Sequence, residues 1–152
     1  MKYFSYGMNT NSYEMALRCK TSEDLGMAVL SNYRFEFRYH ATIVPNTKDR
    51  VYGVLWDITE EDEKSLDRLE GFPKYYRKEL VTVIHNGEEV TAMTYIMNGH
   101  DGDLKAPNTY YYEMLREGYN DHFISSAQLY DALDRAELLD YKNSIANGSY
   151  FW

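Results

Sequence analysis

Tyr33-Arg34-Phe35-Glu36-Phe37-Arg38-Tyr39-His40-Ala41-Thr42-Ile43-Val44 is the stretch that decides the architecture of this chain. Tyr33, Phe35, Phe37 and Tyr39 alternate with Arg34, Glu36, Arg38 and His40, the period of two that a strand with one apolar face requires. Ala41 to Val44 reads as a further strand, and so does Val51-Tyr52-Gly53-Val54-Leu55-Trp56-Asp57-Ile58, which is apolar on both faces and therefore central. Between these two, Pro45-Asn46-Thr47-Lys48-Asp49 has the composition of a hairpin turn. Downstream, Glu79 to His85 and Val90 to Met97 are strands joined across Asn86-Gly87, the dipeptide best suited to a tight hairpin. Upstream, Tyr3-Phe4-Ser5-Tyr6 reads as a first strand closed by a turn at Gly7.

Helices are interspersed without regular strand-helix alternation, which indicates an α+β domain around a mostly β core. Asn11 to Arg18 reads as a helix capped by Asn11 or Ser12, with Met15 inward. Thr59 caps an acidic first turn of Glu60, Glu61 and Asp62, and that helix runs to about Glu70, with Leu66 and Leu69 inward and Gly71 as its stop. A polar loop, Asn98 to Ala106, leads to Pro107 and Asn108 and a helix holding Tyr111, Met114 and Leu115. The last helix follows Ser126, with Leu129, Ala132, Leu133, Ala136 and Leu139 on one stripe and Asp131, Asp134 and Glu137 on the wet side.

Composition narrows the function classes. The 152 residues carry 16 Lys plus Arg against 24 Asp plus Glu, a net charge of -8 that repels phosphate backbones and anionic lipid surfaces, so non-specific nucleic-acid or membrane binding is not expected. The one cysteine, Cys19, allows no internal disulfide or cysteine-based metal site, and points to a reducing, cytoplasmic compartment. No run approaches the roughly 18 apolar residues of a membrane span. With no linker or repeat, residues 1–152 are expected to form one domain, whose segment 126–152 is the C-terminal helix and an aromatic tail, Tyr150-Phe151-Trp152. That tail is expected to cover the core or to join two copies as a homo-oligomer. The 16 tyrosines call for a core or pocket that uses aromatic bodies with polar tips.

Two places are candidates for chemistry. At Tyr6-Gly7-Met8-Asn9 a strand ends in a glycine turn before a helix, so successive N–H groups can converge on an anion. At Leu66-Asp67-Arg68-Leu69-Glu70-Gly71, Glu70 ends a helix where negative charge is disfavoured, close to Phe72, Tyr75 and Tyr76. Both influences raise a carboxyl pKa toward the range useful for acid and base work.

The order of these segments resembles the gamma-glutamylcyclotransferase (AIG2-like) family. The resemblance rests on Tyr3 to Asn9, Ala41 to Pro45, Val51 to Trp56, Leu66 to Gly71, Tyr75 to Lys78, Ala92 to Met97, and Pro107 to Tyr111 with Gly118-Tyr119. It implies a small mixed β-barrel flanked by helices and a cofactor-independent, metal-free release of 5-oxoproline from a small gamma-glutamyl compound. It further implies Glu70 as the general acid and base, with Tyr6, Gly7, Met8, Asn9, Tyr76 and Tyr111 around the substrate. Met8 stands where the family commonly has serine, which preserves an N–H role and removes a hydroxyl role. Tyr39 and His40 stand where relatives frequently have small glycines, and are expected either to narrow the pocket or to add a stacking and hydrogen-bonding surface. The competing reading is a non-catalytic binder that sequesters a small anion such as a nucleotide between aromatic rings and Arg34, Arg38 and Arg77.

Overall fold

Strand β2 (Glu23–Arg38) turns directly into β3 (His40–Asp57), and the two pair antiparallel from Glu23 opposite Asp57 to Arg38 opposite His40. The structure, a computed structural model, describes residues 1–99 and 103–146. The aromatic tail at 150–152 and part of the loop at 98–106 lie outside the described residues.

Tyr39 is therefore the turn and not a strand residue, with φ at 67°. The expected hairpin at 45–49 is also corrected. Ala41 to Val44 and Val51 to Asp57 belong to one strand, and both halves pair with β2 instead of with each other. Ser31 opposes Arg50 and Tyr33 opposes Pro45, so Asn46 to Asp49 face the lone Asn32 as a wide bulge. The polar composition that resembles a hairpin turn is what an unpaired bulge exposed to water also needs.

Around this long pair the barrel closes in the order β1 (Lys2–Ser5), β3, β2, β4 (Tyr76–His85), β5 (Glu88–Met97). β4 and β5 form the expected hairpin, with Asn86 and Gly87 at φ of 51° and 80°, the left-handed pair a two-residue turn requires. Closure comes from a parallel pairing of β1 with β5 at Tyr3 and Met93, all other pairs being antiparallel. Phe4, Phe35, Phe37, Ile43 and Val54 fill the core. The alternation on β2 is less clean than the sequence implies, since Glu36 is only 8% exposed. Helix α4 (Ala127–Ala146) packs along β2, and the Arg38 guanidinium, 3.0 Å from Glu36, makes that burial tolerable.

Three further helices frame the barrel: α1 (Ser12–Arg18), α2 (Glu60–Glu70) and α3 (Thr109–Asp121). Asn11 caps α1 by accepting from Glu14 N, and Met15 is fully buried. Thr59 and Asp62 form a reciprocal capping box on α2, and Gly71, at φ 64°, ends it in the left-handed conformation. Leu66 is buried as expected, whereas Leu69, expected inward, is 47% exposed because it lines an open groove. Among the described residues no helix is long and apolar enough to cross a membrane.

One glycine carries a packing constraint for the whole barrel. A Cβ on Gly53 of β3 would stand 2.2 Å from the Ser5 carbonyl oxygen and 2.7 Å from the Phe4 ring. Gly53→Ala is expected to destabilise the protein by about 1–3 kcal/mol through overpacking, read as a lowered midpoint in urea unfolding.

Candidate active site

β1 ends at Ser5, and the chain turns through Gly7 into a short 3-10 helix, Met8–Thr10, before Asn11 caps α1. The turn is closed from within: Thr10 N donates to Gly7 O at 3.0 Å, and Asn11 N to Met8 O at 3.0 Å. The N–H groups of Met8 and Asn9 open this turn and have no acceptor inside it. A Cβ on Gly7 would meet the Ala41 Cβ at 3.2 Å and the Tyr111 hydroxyl at 3.5 Å, so glycine permits the loop to lie close against β3 and α3.

Glu70, the last residue of α2, meets this loop across a cavity of about 290 Å³. Asn9 links them. Its Nδ2 donates to the Tyr3 hydroxyl at 3.0 Å and to Glu70 Oε1 at 3.4 Å, while its Oδ1 accepts from Arg18 Nη1 at 2.7 Å. All seven residues singled out by sequence, Tyr6, Gly7, Met8, Asn9, Glu70, Tyr76 and Tyr111, line this one cavity. The loop's contribution differs from the expectation in one respect: the Asn9 side chain, and not only its backbone, faces the carboxyl.

The phenols are fixed by backbone groups. The Tyr76 hydroxyl donates to Ala41 O at 2.9 Å, and Ala41 N donates to the Tyr111 hydroxyl at 3.0 Å. The Tyr6 hydroxyl donates to Tyr95 O, and the Tyr6 carbonyl accepts from the Tyr119 hydroxyl at 2.7 Å. Burial raises the pKa of Tyr3, Tyr6, Tyr76 and Tyr111 well above the ordinary tyrosine value, so all four are neutral donors at physiological pH.

The carboxyl is tuned differently. Burial raises the Glu70 pKa to about 7, against the opposing pull of the Arg18 charge. Glu70 is half-buried, its carboxyl standing at the wall of the cavity within reach of the Asn9 side chain. Desolvation, which the sequence suggested through the neighbouring aromatics, is thus the main cause. Arg18 is the functional side chain that the sequence reading missed. It reaches the cavity from the C-terminal turn of α1 and is also paired with Glu14 at 3.3 Å. The only available signal was a basic residue one short helix after the loop.

His40 lines the cavity and burial lowers its pKa, keeping the imidazole neutral, whereas Tyr39 is not among the lining residues. Tyr39 is 41% exposed and rests edge-on against the His40 ring at 5.0 Å. The three arginines assigned to the binder reading are elsewhere: Arg34 lies by Asp49, Arg38 by Glu36 and Arg77 by Glu79. Cys19 is buried, and that burial pushes its thiol up to about 12, which removes it as a nucleophile.

A wider groove of about 680 Å³ continues from the cavity, sharing His40, Leu69, Glu70 and Tyr76 and reaching Arg68 and Lys74. Leu69 is exposed because it forms part of this groove. The cavity and groove together can hold a small molecule whose reacting end sits against Glu70 and whose other end lies toward Lys74.

The sequence profile of the family described as Gamma-glutamyl cyclotransferase, AIG2-like, matches residues 3–115. The chain is 25% identical over 159 aligned positions to a mouse protein named Gamma-glutamylcyclotransferase, covering 95% of this chain and 83% of that protein. A solved structure named Gamma-glutamyl cyclotransferase superposes with a TM-score of 0.74 at 25% identity, covering 80% of this chain and 79% of the other. A human protein described as uncharacterized superposes with a TM-score of 0.76 at 24% identity over 89% and 86% of the two chains, a likeness of fold.

The carboxyl's burial has a thermodynamic signature. A glutamate whose pKa is raised on folding stabilises the folded state least where it is ionised, so its penalty is absent below the unfolded pKa and grows as pH rises through about 7. Glu70→Gln is therefore expected to match the wild type near pH 4 and to exceed it by up to roughly 3 kcal/mol near pH 8, measured by denaturant unfolding across pH. Arg18→Met is expected to move the Glu70 titration further upward, followed by carbon NMR of the carboxyl.

Proposed function

Because this chain belongs to the gamma-glutamyl cyclotransferase, AIG2-like family, we propose that it releases 5-oxoproline from a gamma-glutamyl amine or amino acid, with Glu70 as general base and then general acid. The observation that carries this reading is a single desolvated carboxyl with a pKa of about 7, set opposite the loop at Gly7 to Asn9.

The chemistry asks for little else. The substrate's α-ammonium gives one proton to the Glu70 carboxylate, and the free amine attacks its own γ-carbonyl carbon. The new C–N bond closes a five-membered ring and leaves an oxyanion. As that collapses, the old amide C–N bond breaks and Glu70 returns the first proton to the departing amine; it then takes the second proton from the ring nitrogen, leaving the lactam N–H, and that proton departs with the amine as its ammonium. Atoms balance without a co-reactant. Because both reacting groups belong to one molecule, most of the acceleration comes from holding it folded. A pKa near the working pH lets one carboxyl serve in both directions.

The remaining roles follow from position. The backbone N–H groups of Gly7, Met8 and Asn9 are the donors proposed for the oxyanion and the α-carboxylate, with Arg18 as the nearby positive charge. Tyr6, Tyr76 and Tyr111 form walls that keep water out. The leaving amine is directed into the groove toward Lys74. A volume of about 290 Å³ is at the small end of ligand sites, which suits a glutamyl group. The alternative, a nucleotide held without turnover, would have Arg18 as the only arginine lining this cavity among the described residues.

Incubation with a panel of gamma-glutamyl compounds, following 5-oxoproline, tests the reading. Turnover is expected, with kcat/KM climbing as pH rises through about 7, since the protonated carboxyl cannot accept the α-ammonium proton. Glu70→Gln is expected to lower kcat by roughly 10²–10⁴-fold while keeping the fold. Absence of 5-oxoproline from every compound, with a nucleotide retained instead, would falsify it.

A further inference from the structure

A separate cleft of about 490 Å³ opens between β2 at Arg34, β3 at Lys48 to Arg50, and the first turns of α4. Four of its lining side chains are basic, Arg34, Lys48, Arg50 and Arg135, against the acidic Asp49 and Asp131. In a chain of net charge -8 this is a local excess of positive charge facing a concave space.

The arginines are incompletely satisfied. Arg135 donates from Nη2 to Phe35 O at 2.7 Å, which fixes the guanidinium at the cleft wall, while its Nε is buried without an acceptor. The Arg34 Nε is likewise buried without a hydrogen-bond acceptor, and the Asp49 carboxylate stands off at 3.5 Å. Buried donors of this kind are rarely left unmade in a functional protein. The two guanidiniums are close enough for the Arg34 charge, after burial, to lower the Arg135 pKa, with Glu36, Asp131 and Asp49 pulling the other way. An anion between them would relieve the repulsion.

We propose that this cleft binds a small phosphate monoester, its phosphate held by Arg34 and Arg135, its esterified group beside Tyr52, and Lys48 and Arg50 supplying charge at the exposed rim. Guanidinium forks match phosphate oxygens, and a dianion balances the two surplus positive charges. The cleft is larger than a free phosphate ion needs, which favours an ester. Neither Glu70 nor any other residue of the candidate active site takes part, so the site stands or falls independently of the cyclotransferase reading.

Calorimetric titration of the full chain with glycerol 3-phosphate and, separately, inorganic phosphate tests the site. The ester is expected to bind one per chain and more tightly than inorganic phosphate. Arg34→Ala is expected to weaken it at least roughly tenfold with the unfolding midpoint retained. The double variant Lys48→Ala/Arg50→Ala, confined to exposed positions, weakens it as well and serves if Arg34→Ala does not fold. Absence of ester binding, affinity unchanged in these variants, or binding of inorganic phosphate alone overturns the assignment. So does binding that Arg18→Met removes and Arg34→Ala leaves intact, because the anion would then occupy the Glu70 cavity.

Discussion

The parallel contact of β1 with β5 is the constraint on which the rest of this structure depends. Four residues of β1 must pair with β3 on one side and reach β5 on the other, and only Tyr3 and Met93 register directly across the closing seam. Side chains reinforce what the backbone ladder leaves short. Thr94 donates its hydroxyl to Phe4 O at 2.8 Å, and Trp56 Nε1 donates to the Ser5 hydroxyl at 2.9 Å, all within the buried interior. Because each of these donors would be costly to bury alone, closure of the barrel and satisfaction of its polar groups occur together. The loop at Gly7 to Asn9 leaves the end of this short strand, so its position is inherited from the seam.

Facing that loop, the end of α2 presents a carboxyl that folding makes expensive to ionise. The protein retains the group with few compensations. Asn9 reaches one oxygen at 3.4 Å, and Arg18, already engaged with Glu14 and Asn9, contributes a partial pull. A closer cation would lower the pKa and stabilise the fold, and would also remove the proton exchange near neutral pH that the proposed reaction uses. Stability is here set against reactivity, which is common where a titrating group sits in a low-dielectric cavity. The surrounding tyrosines supply hydroxyl donors without adding charge.

Much of the framework could be read before any coordinates. The Asn86-Gly87 hairpin, the cap at Thr59, the stop at Gly71 and the burial of Met15 and Leu66 all agree with the sequence reading, since each is governed by residues within one or two turns of chain. The segment at 45–49 did not follow, because polar, turn-forming composition suits a bulge as well as a hairpin, and the choice depends on which strand β3 finds as partner. Leu69 fails for a related reason. Helical spacing directs it toward the barrel, but its neighbour there is an open groove. The family resemblance assembled the seven candidate residues, whereas Arg18 and the Asn9 side chain carry no local mark of their role.

The sequence by itself determined most of the elements, the caps at Asn11 and Thr59, the Asn86-Gly87 turn, the β-rich core, and the family to which the chain belongs. Those properties follow from short-range sterics and from the periodicity with which apolar residues recur. Only the tertiary structure decided that Arg18 reaches the cavity, that the Gln128 amide ties α4 to the Tyr119 hydroxyl and so to the Tyr6 carbonyl, and that Glu70 loses its water. Each of these brings together groups 9 to 113 residues apart in the chain. Such meetings depend on how the barrel closes, a global condition that no local stretch of sequence encodes.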